Sequence, residues 1–124
     1  MSRTLKFRAW DKALKRWYYL IITGSKVEFG GGVPSDEMVN WVRGKRITDW
    51  QQFTGLTDKN GKEIYEGDLI RHLDNNIAWT VVFHEGSFFL QHPDGGKAGA
   101  VAKFQRWNEV IGNRFENPEL LESK

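Results

Sequence analysis

Residues 50–73 read WQQFTGLTDKNGKEIYEGDLIRHL, and the way this stretch punctuates itself decides the fold. WQQFTG is a short strand. Asp58 and the Asn60-Gly61 pair follow, residue types that accept positive φ at the tip of a tight turn. Ile64 and Tyr65 continue the chain into Glu66-Gly67-Asp68, a second turn in which Gly67 takes a conformation closed to residues with a side chain. DLIRHL is then another strand, and the spacing repeats downstream. DNN is a turn, and IAWTVVFH is a strand that sets Ile77, Trp79, Val81 and Phe83 on one face. Glu85-Gly86 turns the chain into the strand SFFLQH. PDGGKAG reads as a loop, AVAKFQRW as a single helical turn and NEVIGNRF as the last strand, with Pro118 opening a short helix in the tail. Short strands separated by turn signals about every 8–12 residues indicate an all-β sandwich or barrel. A closed barrel also removes the edges that would otherwise aggregate. Five or so strands with one helical turn before the last outline a small SH3-like antiparallel barrel. The expected domain spans 50–124, with its compact body at 50–115.

Upstream, LKFRAW alternates, with Leu5, Phe7 and Ala9 facing one way and Lys6, Arg8 and Trp10 the other. The polar DKALKR turns the chain into WYYLII, so residues 4–22 read as a β-hairpin. A short amphipathic helix over 10–17 is the competing reading. Residues 24–34 are a Gly-rich loop in which KVEF forms a brief edge strand. Ser35 caps a short helix, with Asp36 and Glu37 in its first turn, Met38, Val39, Trp41 and Val42 as its apolar stripe, and Gly44 as its end. Residues 1–49 are therefore an N-terminal hairpin followed by an irregular or short-helical region, and the fold class is mainly β.

The chain has 124 residues, of which 40% are apolar and 14% aromatic, so it can bury a core without covalent staples. Six Trp and eight Phe suggest a core of a few large pieces. There is no cysteine, which excludes disulfides, thiolate metal sites and thiol nucleophiles and fits a reducing cytoplasm. The charged N-terminal stretch lacks the apolar segment of a signal peptide, and no apolar run is long enough to span a membrane. The net charge of +2 implies no partner, but its distribution is uneven. Residues 1–17 carry six cations against Asp11, whereas residues 109–124 carry four glutamates against Arg114 and Lys124. Such asymmetry favours head-to-tail attraction within or between chains. The plainer reading is a solvated polar face on the hairpin.

KFRAWD near the start, QFTGLTDKNGKEIYEGD in the middle and EVIGNRFENPELL at the end resemble the YopX family of phage and prophage proteins, block for block and in order. The resemblance implies a phage- or prophage-encoded protein of the bacterial cytoplasm, an SH3-like barrel in the C-terminal half and a homo-oligomer. It implies no activity, and it supplies no catalytic or ligand-binding residues to carry over.

No constellation in the sequence calls for an enzyme, a cofactor or a metal. His72, His84 and His92 show no metal-ligand spacing, although neighbouring strands could still bring His72 and His84 together. Asp58, Glu63, Glu66 and Asp68 are acid–base candidates; as turn formers bonding nearby backbone they have the better explanation. Ser87 lies outside any nucleophile elbow, and Gly30-Gly31-Gly32 lacks the Lys-Ser/Thr of a phosphate loop.

The pattern with a functional character is the interleaving of cations and aromatics at Arg8, Trp10, Lys12, Lys15, Arg16, Trp17 and Tyr19, with Arg43, Lys45 and Arg46 as further cations that can converge on them. Trp, Tyr and Arg are the residues most enriched at protein-binding hot spots. A two-stranded element cannot bury Trp10, Trp17, Tyr18 and Tyr19 alone, so self-association or a protein partner is the expected role. A nucleic-acid-binding small barrel is the alternative, with phosphates on the cations and bases stacked on the rings.

Overall fold

The computed structural model describes residues 4–30, 40, 43–72, 77–102 and 108–122. The described residues are almost entirely antiparallel β structure arranged in two five-stranded sheets. The chain divides into two compact units, 1–53 and 54–124.

In the first unit, β1 (Thr4–Asp11) and β2 (Arg16–Thr23) pair in unbroken register from Thr4↔Thr23 to Asp11↔Arg16. The hairpin forms as expected, and residues 12–15 turn rather than starting a helix. β3 (Lys26–Gly30) adds to β2 through the two-residue loop Gly24-Ser25. Gly24 has φ 60° there, the first position of a type II′ turn, whose twist suits two antiparallel strands. The expected helix over 35–44 lies mostly outside the described residues. At its end, Asn40 and Arg43 are helical, and the Gly44 N–H donates to the Asn40 carbonyl at 3.0 Å. β4 (Gln51–Thr57), which begins in this unit, lies beside β1 at Phe7↔Gln52 and Arg8↔Gln51, and β5 (Glu63–Tyr65) belongs to the second unit. The buried centre of this unit is small, comprising Ala9, Tyr18 and Ile47 with Trp50 packed against them.

In the second unit, β6 (Asp68–His72), β7 (Ala78–His84), β8 (Ser87–Gln91), β9 (Lys97–Ala100) and β10 (Asn108–Asn113) form a sheet in the order β10-β6-β7-β8-β9. A 3₁₀ turn, Pro118–Glu122, follows. Ile64, Ile70, Val81, Leu90 and Val101 make the core, flanked by Leu56, Trp79, Phe88 and Val110.

Four expectations need correcting. The closed SH3-like barrel is, among the described residues, an open sheet whose edges are β9 and β10. Lys97–Gly99, expected as loop, and Ala100, expected to open the helical turn, form a strand paired with β8; Ala and Gly residues gave no hydrophobic alternation to read. Phe83 does not share the burial of Val81. It is 51% exposed where the β7–β8 hairpin runs out beyond the core, and it rests edge-on against Phe88 at 5.1 Å. Among the described residues the fully buried apolar side chains are mainly aliphatic, Ile, Leu, Val and Ala9, with Tyr18 as the large ring among them. The helical turn expected over 100–107 appears at Val101-Ala102 as 3₁₀ geometry, and its remainder lies outside the described residues.

The central turn residues take the structural role. Asp58 Oδ1 accepts from the N–H of Asn60 at 2.8 Å and of Lys62 at 2.9 Å, and its Oδ2 accepts from the N–H of Val110 at 2.9 Å. Burial alone would raise the Asp58 pKa, but these N–H groups, Val110 first, together hold it below the usual carboxylate value. Asp68 closes the next turn, accepting from the Tyr65 N–H at 2.8 Å and from Asn113 Nδ2 at 3.1 Å. Between them Gly67 has φ 89°, donates to the Val81 carbonyl and accepts from the Arg114 N–H, so a side chain there would strain a doubly anchored turn.

Candidate interaction surface

The β1–β2 hairpin is organised at its tip by one carboxylate. Asp11 is fully buried. Its Oδ1 accepts from the N–H of Ala13 at 2.9 Å and of Leu14 at 3.0 Å, and its Oδ2 accepts from the Tyr18 hydroxyl at 2.7 Å. Arg46 reaches both oxygens, Nε to Oδ1 at 3.2 Å and Nη2 to Oδ2 at 2.9 Å. Burial would raise the Asp11 pKa, but the Arg46 guanidinium, the two N–H groups and the Tyr18 hydroxyl overcome it and hold the carboxyl well below the usual range. The Tyr18 phenol is raised by its burial and by donating to this carboxylate. Backbone bonds continue the attachment: the Lys12 N–H donates to the Arg46 carbonyl at 2.9 Å and the Thr48 N–H to the Trp10 carbonyl at 3.0 Å. Residues 46–48 are thereby held against the hairpin tip, where Arg46 meets Asp11, and Arg43 and Lys45 precede them in the chain.

The two faces of this hairpin differ. The alternation of β1 and β2 puts Lys6, Arg8 and Trp10 on one face with Trp17, Tyr19 and Ile21. Here cations and rings pair with one another. The Arg8 guanidinium lies 4.1 Å from the Trp17 ring centroid, Trp10 and Trp17 meet at 4.9 Å, and Lys6 Nζ stands 5.4 Å over Phe53. Arg8 and Trp10 are buried, at 8% and 7% exposure, while Trp17 and Tyr19 are half-buried. Tyr19 packs across Gly30, where a Cβ would come within 3.4 Å of it. Of the seven residues singled out from the sequence, only Lys12, Lys15 and Arg16 are exposed, all at the tip; Arg16 sits over the Tyr18 ring at 5.1 Å.

The opposite face is apolar. Register places Phe7, Leu20 and Phe29 in one row and Leu5, Ile22 and Val27 in the next. Toward the tip the same face is covered by the small core at Ala9 and Tyr18. Away from the tip the cover ends. Leu5, Phe7, Leu20 and Ile22 are only half-buried, while Val27 is 56% and Phe29 43% exposed. Val27 and Phe29 were not among the residues singled out from the sequence. The signal was present in the Lys26-Val27-Glu28-Phe29 alternation, which marks a strand with one apolar face.

Elsewhere, the histidines do not converge. Asn108↔His72 lies at the end of β6 beside the start of β7, whereas His84 ends β7, so the two are separated by the length of that strand. His84 faces Glu85 at 3.6 Å and His92 faces Asp94 at 3.0 Å. Among the described residues there is no group of three or more His, Asp or Glu that could hold a metal, and no helix long and apolar enough to cross a membrane.

The sequence matches the family model described as YopX protein over residues 6–122. Among solved structures it is similar to the crystal structure of protein EF1440 from Enterococcus faecalis, at 26% identity over 94% of this chain and 97% of that one, with a TM-score of 0.61. No curated protein matches the sequence.

Proposed function

We propose a non-catalytic role in protein assembly for this chain, which belongs to the YopX family. In this reading it is a phage- or prophage-encoded protein working in the cytoplasm of a bacterial host. The observation that carries the role is the incompletely covered apolar sheet face of the first unit, with Val27 and Phe29 exposed beside half-buried Leu5, Phe7, Leu20 and Ile22. Contiguous apolar surface of this kind marks interaction sites. The rings on the other face are spent on their own chain's cations, which argues against them as hot-spot anchors and moves the interface to the apolar side. The test is the solution mass of the full chain by light scattering. A multiple of 14.4 kDa supports assembly, and a monomer that binds no protein removes it.

A second reading rests on a different observation. Lys12, Lys15 and Arg16 are exposed at the tip, and the backbone bond from Lys12 to Arg46 brings exposed Arg43 and Lys45 beside them. Such a cationic cluster suits a polyanion, nucleic acid included. The stacking half of that mechanism is weakened, because Trp10 is buried and Trp17 already carries Arg8. Fluorescence anisotropy with single- and double-stranded oligonucleotides decides it. Binding that weakens steeply with salt supports the reading, and no binding at low salt removes it.

A further inference from the structure

β3 ends its sheet: among the described residues it pairs with β2 alone. An open edge strand presents unpaired backbone groups, and proteins ordinarily block such edges with proline, bulges or an inward charge. β3 has no proline and no bulge; its charges, Lys26 and Glu28, both lie on one face, where a partner strand must offer them opposite charges. Its sequence is Lys26-Val27-Glu28-Phe29-Gly30, and its ladder with β2 is regular from Thr23↔Lys26 to Tyr19↔Gly30. In a two-residue hairpin the pair flanking the loop is the hydrogen-bonded one, and such pairs alternate along the ladder. Lys26, Glu28 and Gly30 therefore direct their N–H and C=O groups to β2. Those of Val27 and Phe29 point outward along the open edge.

We infer that β3 pairs antiparallel with β3 of a second copy of this chain, about a two-fold axis at Val27, and so joins the two apolar sheet faces into one. This rests on the assembly reading and names its partner. Edge-to-edge pairing must set outward-pointing residues opposite each other, which leaves registers centred on Val27, on Glu28 or on Phe29. Charge chooses among them. Centring on Glu28 puts that carboxylate opposite its own copy, a destabilising arrangement. Centring on Phe29 leaves both charges without an opposite partner. Centring on Val27 sets Lys26 of each chain opposite Glu28 of the other, twice over, in the closer non-hydrogen-bonded pairs where side chains meet best.

The surroundings agree with that register. Lys26 and Glu28 project on the same face and already lie 3.1 Å apart within one chain, both well exposed, so exchanging partners costs little. Val27 and Phe29 project on the other face beside Ile22 and Leu20. Pairing places Val27 against its copy and continues the half-covered rows across the axis. Isologous contacts of this kind use β3 of both copies and so close at two chains along that edge.

The experiment is a charge exchange read by sedimentation equilibrium on the full chain. Lys26→Glu and Glu28→Lys are each expected to weaken self-association roughly tenfold, since each turns two attractive pairs into two repulsive ones. Mixing the two variants is expected to restore association as a heterodimer, because each then supplies what the other lacks. The double variant K26E/E28K is expected to self-associate like the parent, whereas an axis at Glu28 would leave both single variants as weak or strong as the parent, because Lys26 then faces Gly30 and residue 28 faces its own copy. A parent that is dimeric but indifferent to both single substitutions, or variants that do not rescue each other, overturns β3 pairing and leaves assembly through another surface. A monomeric parent overturns both.

Discussion

The two units of this chain solve the same folding problem with opposite means. The second unit surrounds five fully buried aliphatic residues, Ile64, Ile70, Val81, Leu90 and Val101, with a ring of half-buried apolar neighbours. The first has a buried apolar centre of three residues and relies on Asp11, whose carboxylate takes donors from two backbone amides, Tyr18 and Arg46. A polar hub gives direction but buries little area. The first unit consequently leaves a sheet face incompletely covered. Where a chain holds an element rigid yet leaves its apolar side open, that side is the place to look for function.

The largest expected effect lies in the second unit. Ile70→Ala removes a fully buried side chain from the aliphatic core and should cost roughly 2–5 kcal/mol in urea unfolding. A loss below about 1 kcal/mol would break the contrast, because the core would not then be what holds this unit.

Asp11→Ala comes next, at about 3 kcal/mol, since it strands Arg46 and the Tyr18 hydroxyl together with two turn amides. Hydrogen exchange should accelerate in residues 4–30 well before 54–122. Equal acceleration in both would show that the units are not separately stabilised.

Tyr18→Phe keeps the ring in the small core and deletes only the 2.7 Å bond to Asp11, so about 1 kcal/mol is expected, with the hairpin register unchanged by NMR.

Acid should produce a smaller, graded change. The Asp11 and Asp58 carboxyls are both depressed in the folded chain. Their contribution is therefore complete above the unfolded carboxylate value of about 3.9 and is lost as pH falls below it toward the folded values. Unfolding midpoints should be flat from pH 7 to about 5 and decline below about 4. Asp58→Asn and Asp11→Asn should each shrink that decline.

Much of this was legible in the sequence where geometry is local. The hairpin of residues 4–22, the turns at Asp58–Gly61 and Glu66–Asp68 and the succession of short strands all follow from alternation and turn chemistry. Barrel closure was not legible, because it depends on how distant strands meet, and Lys97–Ala100 carried too little side-chain pattern to show as an edge. The cationic and aromatic residues Arg8, Trp10 and Trp17 were conspicuous by type, yet type does not reveal that they pair with each other. The apolar rows could be seen only after register set Phe29 beside Leu20 and Phe7.

The most direct test of the central claim, that the first unit is built to associate through its open apolar side, is the solution mass of Phe29→Glu beside the parent. Phe29 is exposed, so the substitution leaves the buried centre intact. The account predicts a parent at a multiple of 14.4 kDa and a folded variant shifted toward the single-chain mass. A parent and variant with the same mass, both folded, would contradict it.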